Sequence, residues 1–330
     1  MPLPLRLQLA VEELPLKEPF RISGYTFTQI PALIVQLTEA RRTGRGESEG
    51  VYYLDDVPAR MAVDIESRRA EIESGITREG LRELMPIGGA RNALDCALWD
   101  LEAKRAGQPV WKLAGINQPV PLTTMFTLGA DHPTALAMAA LARGPATALK
   151  LKLSGELDID VERVRAVRAA RPDVWLGVDA NQGYTLDSLE RLLPVLMEAR
   201  VLLLEQPLKR GCEANLDHFE CPIPIAADES VQGLADVEGL LGRFDVVNIK
   251  LDKCGGLTEA LLMIEEARRL GLKVMVGNMV GTSLAMAPAF VAGQLCDFVD
   301  LDGPTFLTAD RNPGVVFERG TVWCPEGIWG

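Results

Sequence analysis

From about residue 120 onward one rhythm repeats along the chain. A short apolar run ends in a polar or charged residue, and a stretch with helical periodicity follows. The runs are LTTMFTLG (122–129), TALKLKL (147–153), VWLGVDAN (174–181), VLLLEQP (201–207), IPIAADES (223–230), FDVVNIKLD (244–252), LKVMVGN (272–278) and DFVDLDGP (297–304). Between them lie amphipathic stretches such as DIDVERVRAVRAAR (158–171), LDSLERLLPVLMEAR (186–200) and LTEALLMIEEARRLG (257–271). Strands alternating with helices predict right-handed βαβ units and a parallel sheet. Eight units in this span predict an α/β fold that closes into a (β/α) barrel rather than an open sheet.

The first part of the chain breaks that rhythm. RLQLAVEELPL and ALIVQLTEA predict antiparallel strands joined by a loop, PFRISGYTFTQIP. A helix follows over ARNALDCALWDLEAKRAG (90–107), where Leu94, Ala97, Leu98 and Leu101 recur at helical spacing and so belong to a core. We expect an α+β domain over 1–118. The barrel follows over 119–310, and a segment over 311–330 returns to the first domain. The PVP at 119–121 marks the first boundary.

Composition narrows the function. With 330 residues, 48% hydrophobic and 24% charged, the chain can bury a sizeable core. Its formal charge of -12 argues against nucleic acid or an anionic membrane as the main partner, because both reward clustered Lys and Arg. No apolar run reaches the roughly 18 residues of a membrane helix, and the start is too acidic for a secretory signal. A cytoplasmic protein is expected. The six cysteines include no C-x-x-C pair and read as reduced and structural. Neither of the two histidines sits in zinc-binding spacing. Proton chemistry therefore falls to lysines or carboxylates.

Charges at the C-terminal strand ends of a parallel barrel read as chemistry. Lys150 and Lys152 close the second run, on one face and about 7 Å apart. Asp179 closes the third run, Glu205 the fourth, Asp228 the fifth and Lys250 the sixth. Buried at one rim, such charges must be paired or hold a metal. Three converging carboxylates suit Mg²⁺. Lys152 and Lys250 then stand across the barrel, with the metal between them. That geometry suits removal of an α-proton and its return on the other face. Lys150 and the cation are expected to lower the pKa of Lys152 and make it a usable base.

Taken singly, each feature has a plainer explanation. Lysines snorkel at sheet edges, and an Asp at a strand end often caps the next helix. Together, in barrel order, they form a site. The chain resembles the enolase superfamily in its muconate-lactonizing subgroup. The resemblance rests on KLK (150–152), DAN (179–181), EQP (205–207), ADES (227–230), NIKLDKCGGLTEA (248–260) and the helix ARNALDCALWDLEAKRAG. It implies a modified barrel that carries the active site over 119–310, under a capping domain over 1–118 whose loops set substrate specificity, with Lys152 and Lys250 as the acid/base pair and Asp179, Glu205 and Asp228 as Mg²⁺ ligands. Sites of this superfamily combine a Lys or His base with one or two Mg²⁺ ions.

VDLDGP narrows the resemblance to dipeptide epimerases. Asp300 and Asp302 fall two apart on the last run, as in the D-x-D that binds a substrate's N-terminal ammonium there. GNMVGTSLAM (277–286), with Met279, is similar to the seventh-strand loop of the same enzymes. The chain departs from Ala-Glu epimerases at one point. Counted from the PF dipeptide, Phe27 stands where they carry an Arg for the Glu side chain, and Arg21 is out of register. Met125 stands where a Thr is common, and Tyr52 and Tyr53 line the same mouth. A Glu carboxylate buried there without a cation is costly.

The expectation is a Mg²⁺-dependent isomerase that epimerises an L-Ala-L-Xaa dipeptide, with Xaa apolar rather than Glu. Rivals in the same fold are an N-acylamino-acid racemase, an o-succinylbenzoate synthase and a cycloisomerase. Outside it stand a Schiff-base lyase using Lys150 or Lys152 and a non-catalytic barrel that only binds a ligand. Barrels of this size often form homo-oligomers, which the residues neither require nor exclude.

Overall fold

The computed structural model describes residues 4–22 and 25–330. Three long strands open the chain: β1 (Arg6–Ile22), β2 (Tyr25–Glu39) and β3 (Arg42–Ser48), in an antiparallel sheet of that order. The strands run further than their hydrophobic pattern suggested. β1 and β2 stay paired through most of the expected loop, with Phe20 opposite Phe27 and a register shift between Pro15 and Phe20. Aromatic residues hold this polar stretch extended, and Ser23 and Gly24 at its tip lie outside the described residues. The hairpin rests on the barrel. The N–H of Thr308 donates to Pro15 O at 2.9 Å, and the N–H of Ala130 to Arg21 O at 3.1 Å.

The helix Gly89–Ala106 is buried nearly all round because it serves two cores. Leu94, Ala97, Leu98 and Leu101 pack with Leu33, Val35 and Leu37 of the cap. Cys96, Trp99 and Ala103 pack with the barrel. Close approach to β3 requires glycine: a Cβ on Gly46 would stand 2.0 Å from Ala93 O, and one on Gly44 2.0 Å from Ala97 O. Leu94 has no exposed surface. Leu94→Ala will therefore lower stability by about 2–5 kcal/mol. A urea titration checks this, and a shift under about 1 kcal/mol would contradict the packing described.

After a short strand, β4 (Leu122–Thr123), come the eight parallel strands: β5 (Phe126–Leu128), β6 (Ala148–Lys152), β7 (Trp175–Asp179), β8 (Leu203–Glu205), β9 (Ile225–Ala227), β10 (Val246–Lys250), β11 (Lys273–Gly277) and β12 (Phe298–Val299). They lie in sequence order. The edges meet, since the N–H of Met125 donates to Val299 O at 2.9 Å and the N–H of Leu301 to Thr124 Oγ1 at 2.9 Å. Helices fill most connections, including Leu157–Ala170, Leu186–Glu198 and Leu257–Arg269. The links from β8 to β9 and from β9 to β10 carry only short 3-10 turns.

Period-two alternation gives each strand an outer and an inner face. Leu149, Leu151 and Leu153 face the outer core, against the helices. Met125, Ala148, Leu203, Ala226, Val246 and Met275 form an apolar plug inside the barrel, closed by Trp175 and Phe298. Lys150 and Lys152 share the face of Ala148, so both point inward above that plug. Two further strands, β13 (Val316–Glu318) and β14 (Thr321–Trp323), form a small sheet in which β14 pairs with β4. The last residues then reach the cap, where Trp329 Nε1 donates to Arg45 O at 3.0 Å and the N–H of Gly330 to Asp100 Oδ1 at 2.9 Å.

Candidate active site

The inner face turns from apolar to charged toward the C-terminal strand ends. Lys152, Asp179, Glu205 and Lys250 are the final residues of β6, β7, β8 and β10, and Asp228 follows β9. Register sets Lys152, Asp179 and Glu205 side by side. Asp179, Glu205 and Asp228 are buried, and one oxygen from each lies within 4.8 Å of the others. Lys152 and Lys250 come from strands four apart in a ring of eight, so they face each other across this triad.

Each charge has partners. Lys152 Nζ donates to Asp179 Oδ2. Lys250 Nζ and Lys253 Nζ each donate to Asp228, at 2.6 Å. Lys150 Nζ donates to Glu205 Oε2 at 3.2 Å and also to Asp300, and Asn248 Nδ2 donates to Glu205 Oε1 at 2.8 Å. The turns after the carboxylates are tight. Asn181 (φ 42°), Gln182 (φ 63°) and Gln206 (φ 36°) all adopt left-handed backbone, which costs energy and concentrates at functional sites. Gln206 ties two strand ends together. Its Oε1 accepts from the N–H of Asp228 at 2.9 Å, and its Nε2 donates to Ser230 Oγ at 2.8 Å.

Burial and Asp179's charge push the Glu205 carboxyl up to about 7, against the pull of Lys150. Burial works the same way on Asp228, but Lys250 and Lys253 hold its carboxyl well below the usual range. The lysines answer in kind. Burial lowers Lys150 and Lys250, yet Asp300 and Glu205 around the first, and Asp228 and Glu205 around the second, raise both above the ordinary value. Pairing to carboxylates thus outweighs burial at both ammonium groups.

Three convergent buried carboxylates are a donor set for a hard divalent cation. Asn181 and Glu229 line one cavity with Asp228, and Asn181 Oδ1 and Glu229 Oε2 are buried without a hydrogen-bond partner among the described residues. The triad therefore fits a metal ion on its own chemistry.

Asp300 and Asp302 lie just past β12 rather than on it, both buried. Asp302 Oδ2 accepts from the N–H of Thr127 at 2.6 Å. Burial and the charge of Asp300 raise the Asp302 carboxyl to about 7. Both line the cavity with the lysines, as do Phe27, Tyr52 and Met279. The rings of Phe27 and Tyr52 are 5.2 Å apart, and those of Tyr25 and Tyr52 4.7 Å. The two loops of the cap therefore meet over the site.

Met125 is the exception. It precedes β5 instead of ending it and lies in the apolar plug, away from the cavity. Thr127, two residues further along the same face, lines the cavity in its place. Sequence reasoning also passed over Lys253, Asn248 and Gln206. Each sits inside a quoted motif, Gln206 just past β8, Asn248 within β10 and Lys253 in the short helix Leu251–Cys254 after it, and a polar side chain in an otherwise apolar run was the available signal.

The chain matches two family models: "Mandelate racemase / muconate lactonizing enzyme, N-terminal domain" over residues 6–115, and "Enolase C-terminal domain-like" over 134–328. It is 39% identical over 311 residues to the L-Ala-D/L-Glu epimerase of Escherichia coli, covering 94% of this chain and 97% of that protein. It is 42% identical over 249 residues to the N-acetyl-D-glutamate racemase of a Pseudoalteromonas species, covering 74% and 78%. Among solved structures, a dipeptide epimerase from Methylococcus capsulatus, complexed with Mg and the dipeptide L-Arg-D-Lys, superposes with a TM-score of 0.91. That match has 30% identity and covers 99% of each chain. The chain belongs to the enolase superfamily, among its mandelate racemase and muconate lactonizing enzymes.

Proposed function

We propose that this chain is a Mg²⁺-dependent dipeptide epimerase. It transfers a proton at the α-carbon of the C-terminal residue of an L-Ala-L-Xaa dipeptide, converting L,L to L,D. One observation carries the reading. A single cavity is lined by two lysines on opposite strands, by Asp228 of the carboxylate triad between them, and by the separate pair Asp300 and Asp302.

Asp179, Glu205 and Asp228 would hold Mg²⁺. When bound, the ion supplies positive charge that weakens the carboxylates' hold on the lysines and balances charge developing on the substrate carboxylate. Lys152 and Lys250 do the proton work. The free amine of one takes the α-proton, and the ammonium of the other returns a proton to the opposite face. Lys150, gripped by Asp300 and Glu205, stays charged and steadies the developing anion. Asp300 and Asp302 pair with the substrate's free α-ammonium. The cap loops exclude water.

Phe27, Tyr52 and Met279 wall the side-chain space, which favours an apolar second residue over Glu. Among the described residues, the cavity's only cations are the three site lysines. Arg21 lies outside it, 3.5 Å from Asp131. The cytoplasm is the proposed compartment. All six cysteines are unpaired, and no helix of the described residues is long and apolar enough to cross a membrane.

The rival is a racemase of N-acylamino acids, the activity that one relative's name states. Such a substrate brings no cation to Asp300 and Asp302, which then have only Lys150, already shared with Glu205, to offset two buried carboxylates. Chiral chromatography after incubation with L-Ala-L-Leu or N-acetyl-L-Leu separates the two. We expect the dipeptide to be favoured by about 100-fold in kcat/KM. Equal or better turnover of the N-acetyl compound would replace the dipeptide reading with the rival.

A further inference from the structure

Glu49 has no task in that mechanism. It is the one carboxylate that the described cap residues put into the cavity, alongside Phe20, Phe27, Ile30, Tyr52 and Tyr53. Its position is fixed from behind, since its own N–H donates to Asp252 Oδ1 at 3.1 Å in the turn after β3. Its Oε2 is buried and has no hydrogen-bond partner among the described residues. The site lysines are taken: Lys152 by Asp179, Lys150 by Glu205 and Asp300, Lys250 by Asp228. Burial and Asp252's charge push the Glu49 carboxyl well above the usual range, and Lys250 and the Val280 N–H offset only part of that. A second bare acceptor, Asn278 Oδ1, lines the same cavity.

Buried acceptors without donors are costly, and a carboxylate oxygen most of all. Here the unpaired oxygen borders the space in which the substrate sits. A side chain that brings a donor would satisfy it. One that ends in a methyl group would leave it bare, and one that ends in a carboxylate would bury a second acid beside it.

We infer that Glu49 is a specificity-determining residue that accepts a hydrogen bond from the tip of the second residue's side chain, with an ammonium as the best-matched tip. The inference rests on the dipeptide-epimerase reading and refines it. The aromatic wall packs the methylenes, and Glu49 reads the end. The preferred second residue then has an apolar stem and a donor tip, as in lysine.

The test uses the Mg²⁺-loaded full chain and compares kcat/KM for L-Ala-L-Lys, L-Ala-L-norleucine and L-Ala-L-Glu. The wild type should favour Lys over norleucine by about 10- to 100-fold and disfavour Glu. In Glu49→Gln the Lys-to-norleucine ratio should fall toward one. Glu49→Asp, which keeps the charge, should retain a preference for Lys. A wild-type ratio near one, or a ratio that survives Glu49→Gln, would overturn the inference, even if both rates fall together. If no dipeptide reacts at all, the reading beneath it fails as well.

Discussion

Lys250→Ala will stop the conversion of L,L-dipeptide to L,D product, with a loss of at least about 10²–10⁴-fold in kcat. The lysine's ammonium is 2.6 Å from Asp228 and stands four strands from Lys152. A planar intermediate held between them can be reprotonated on a given face only by the lysine on that face. The loss should therefore be one-sided. With Lys250 removed, Lys152 can still exchange the α-proton of one epimer with solvent, while net inversion is lost. Lys152→Ala should show the mirror image, with exchange surviving only in the other epimer. Proton NMR of both epimers in D₂O reads the two effects separately. A variant that still inverts its substrate at near the normal rate would remove that lysine from the mechanism. Loss of exchange from both epimers in each variant would point instead to a collapsed site.

Chelation is expected to have an effect of similar size. Asp179, Glu205 and Asp228 are buried and within 4.8 Å of one another, so without a cation the triad must lean on Lys150, Lys152, Lys250 and Lys253. That leaves the lysines tied up in ion pairs with the carboxylates instead of free to accept the α-proton. EDTA should abolish epimerisation, and Mg²⁺ should restore it. Asp228→Asn should raise the Mg²⁺ concentration needed for half-maximal activity, because it removes a charged ligand from the set. Full activity in excess EDTA would show that the triad serves only to pair lysines.

How much of this could be read from the residues depended on phase. The KLK stretch was legible because period two is strict: once the leucines face the helices, the lysines must face the barrel. D-A-N, E-Q-P and A-D-E-S were legible because each sets a carboxylate where an apolar strand stops. Met125 was misplaced for the same reason that these succeeded. LTTMFTLG puts Met125 and Thr127 on one face, and only the strand's true extent, Phe126–Leu128, decides which of them stands at the rim. Polar and turn-forming residues made the cap hairpin look like a loop, because pairing between Phe20 and Phe27 is set by tertiary contact and not by periodicity. The links on either side of β9 carry Pro207, Gly211, Pro222, Gly233, Gly239 and Gly242, which break them into short turns where the rhythm called for helices. Glu49 could not be singled out at all. Its importance lies in a missing partner, which becomes visible only when the cavity is assembled.

The central claim is an α-proton exchanged with solvent by two opposed lysines and dependent on a metal. The most direct measurement is mass spectrometry of L,L-dipeptides incubated with the enzyme in D₂O, with Mg²⁺ and with EDTA. In Mg²⁺, a gain of one mass unit is expected together with appearance of the L,D epimer; in EDTA, neither is expected. Binding of dipeptide with no deuterium uptake under either condition would contradict the claim and leave a barrel that holds its ligand without reacting.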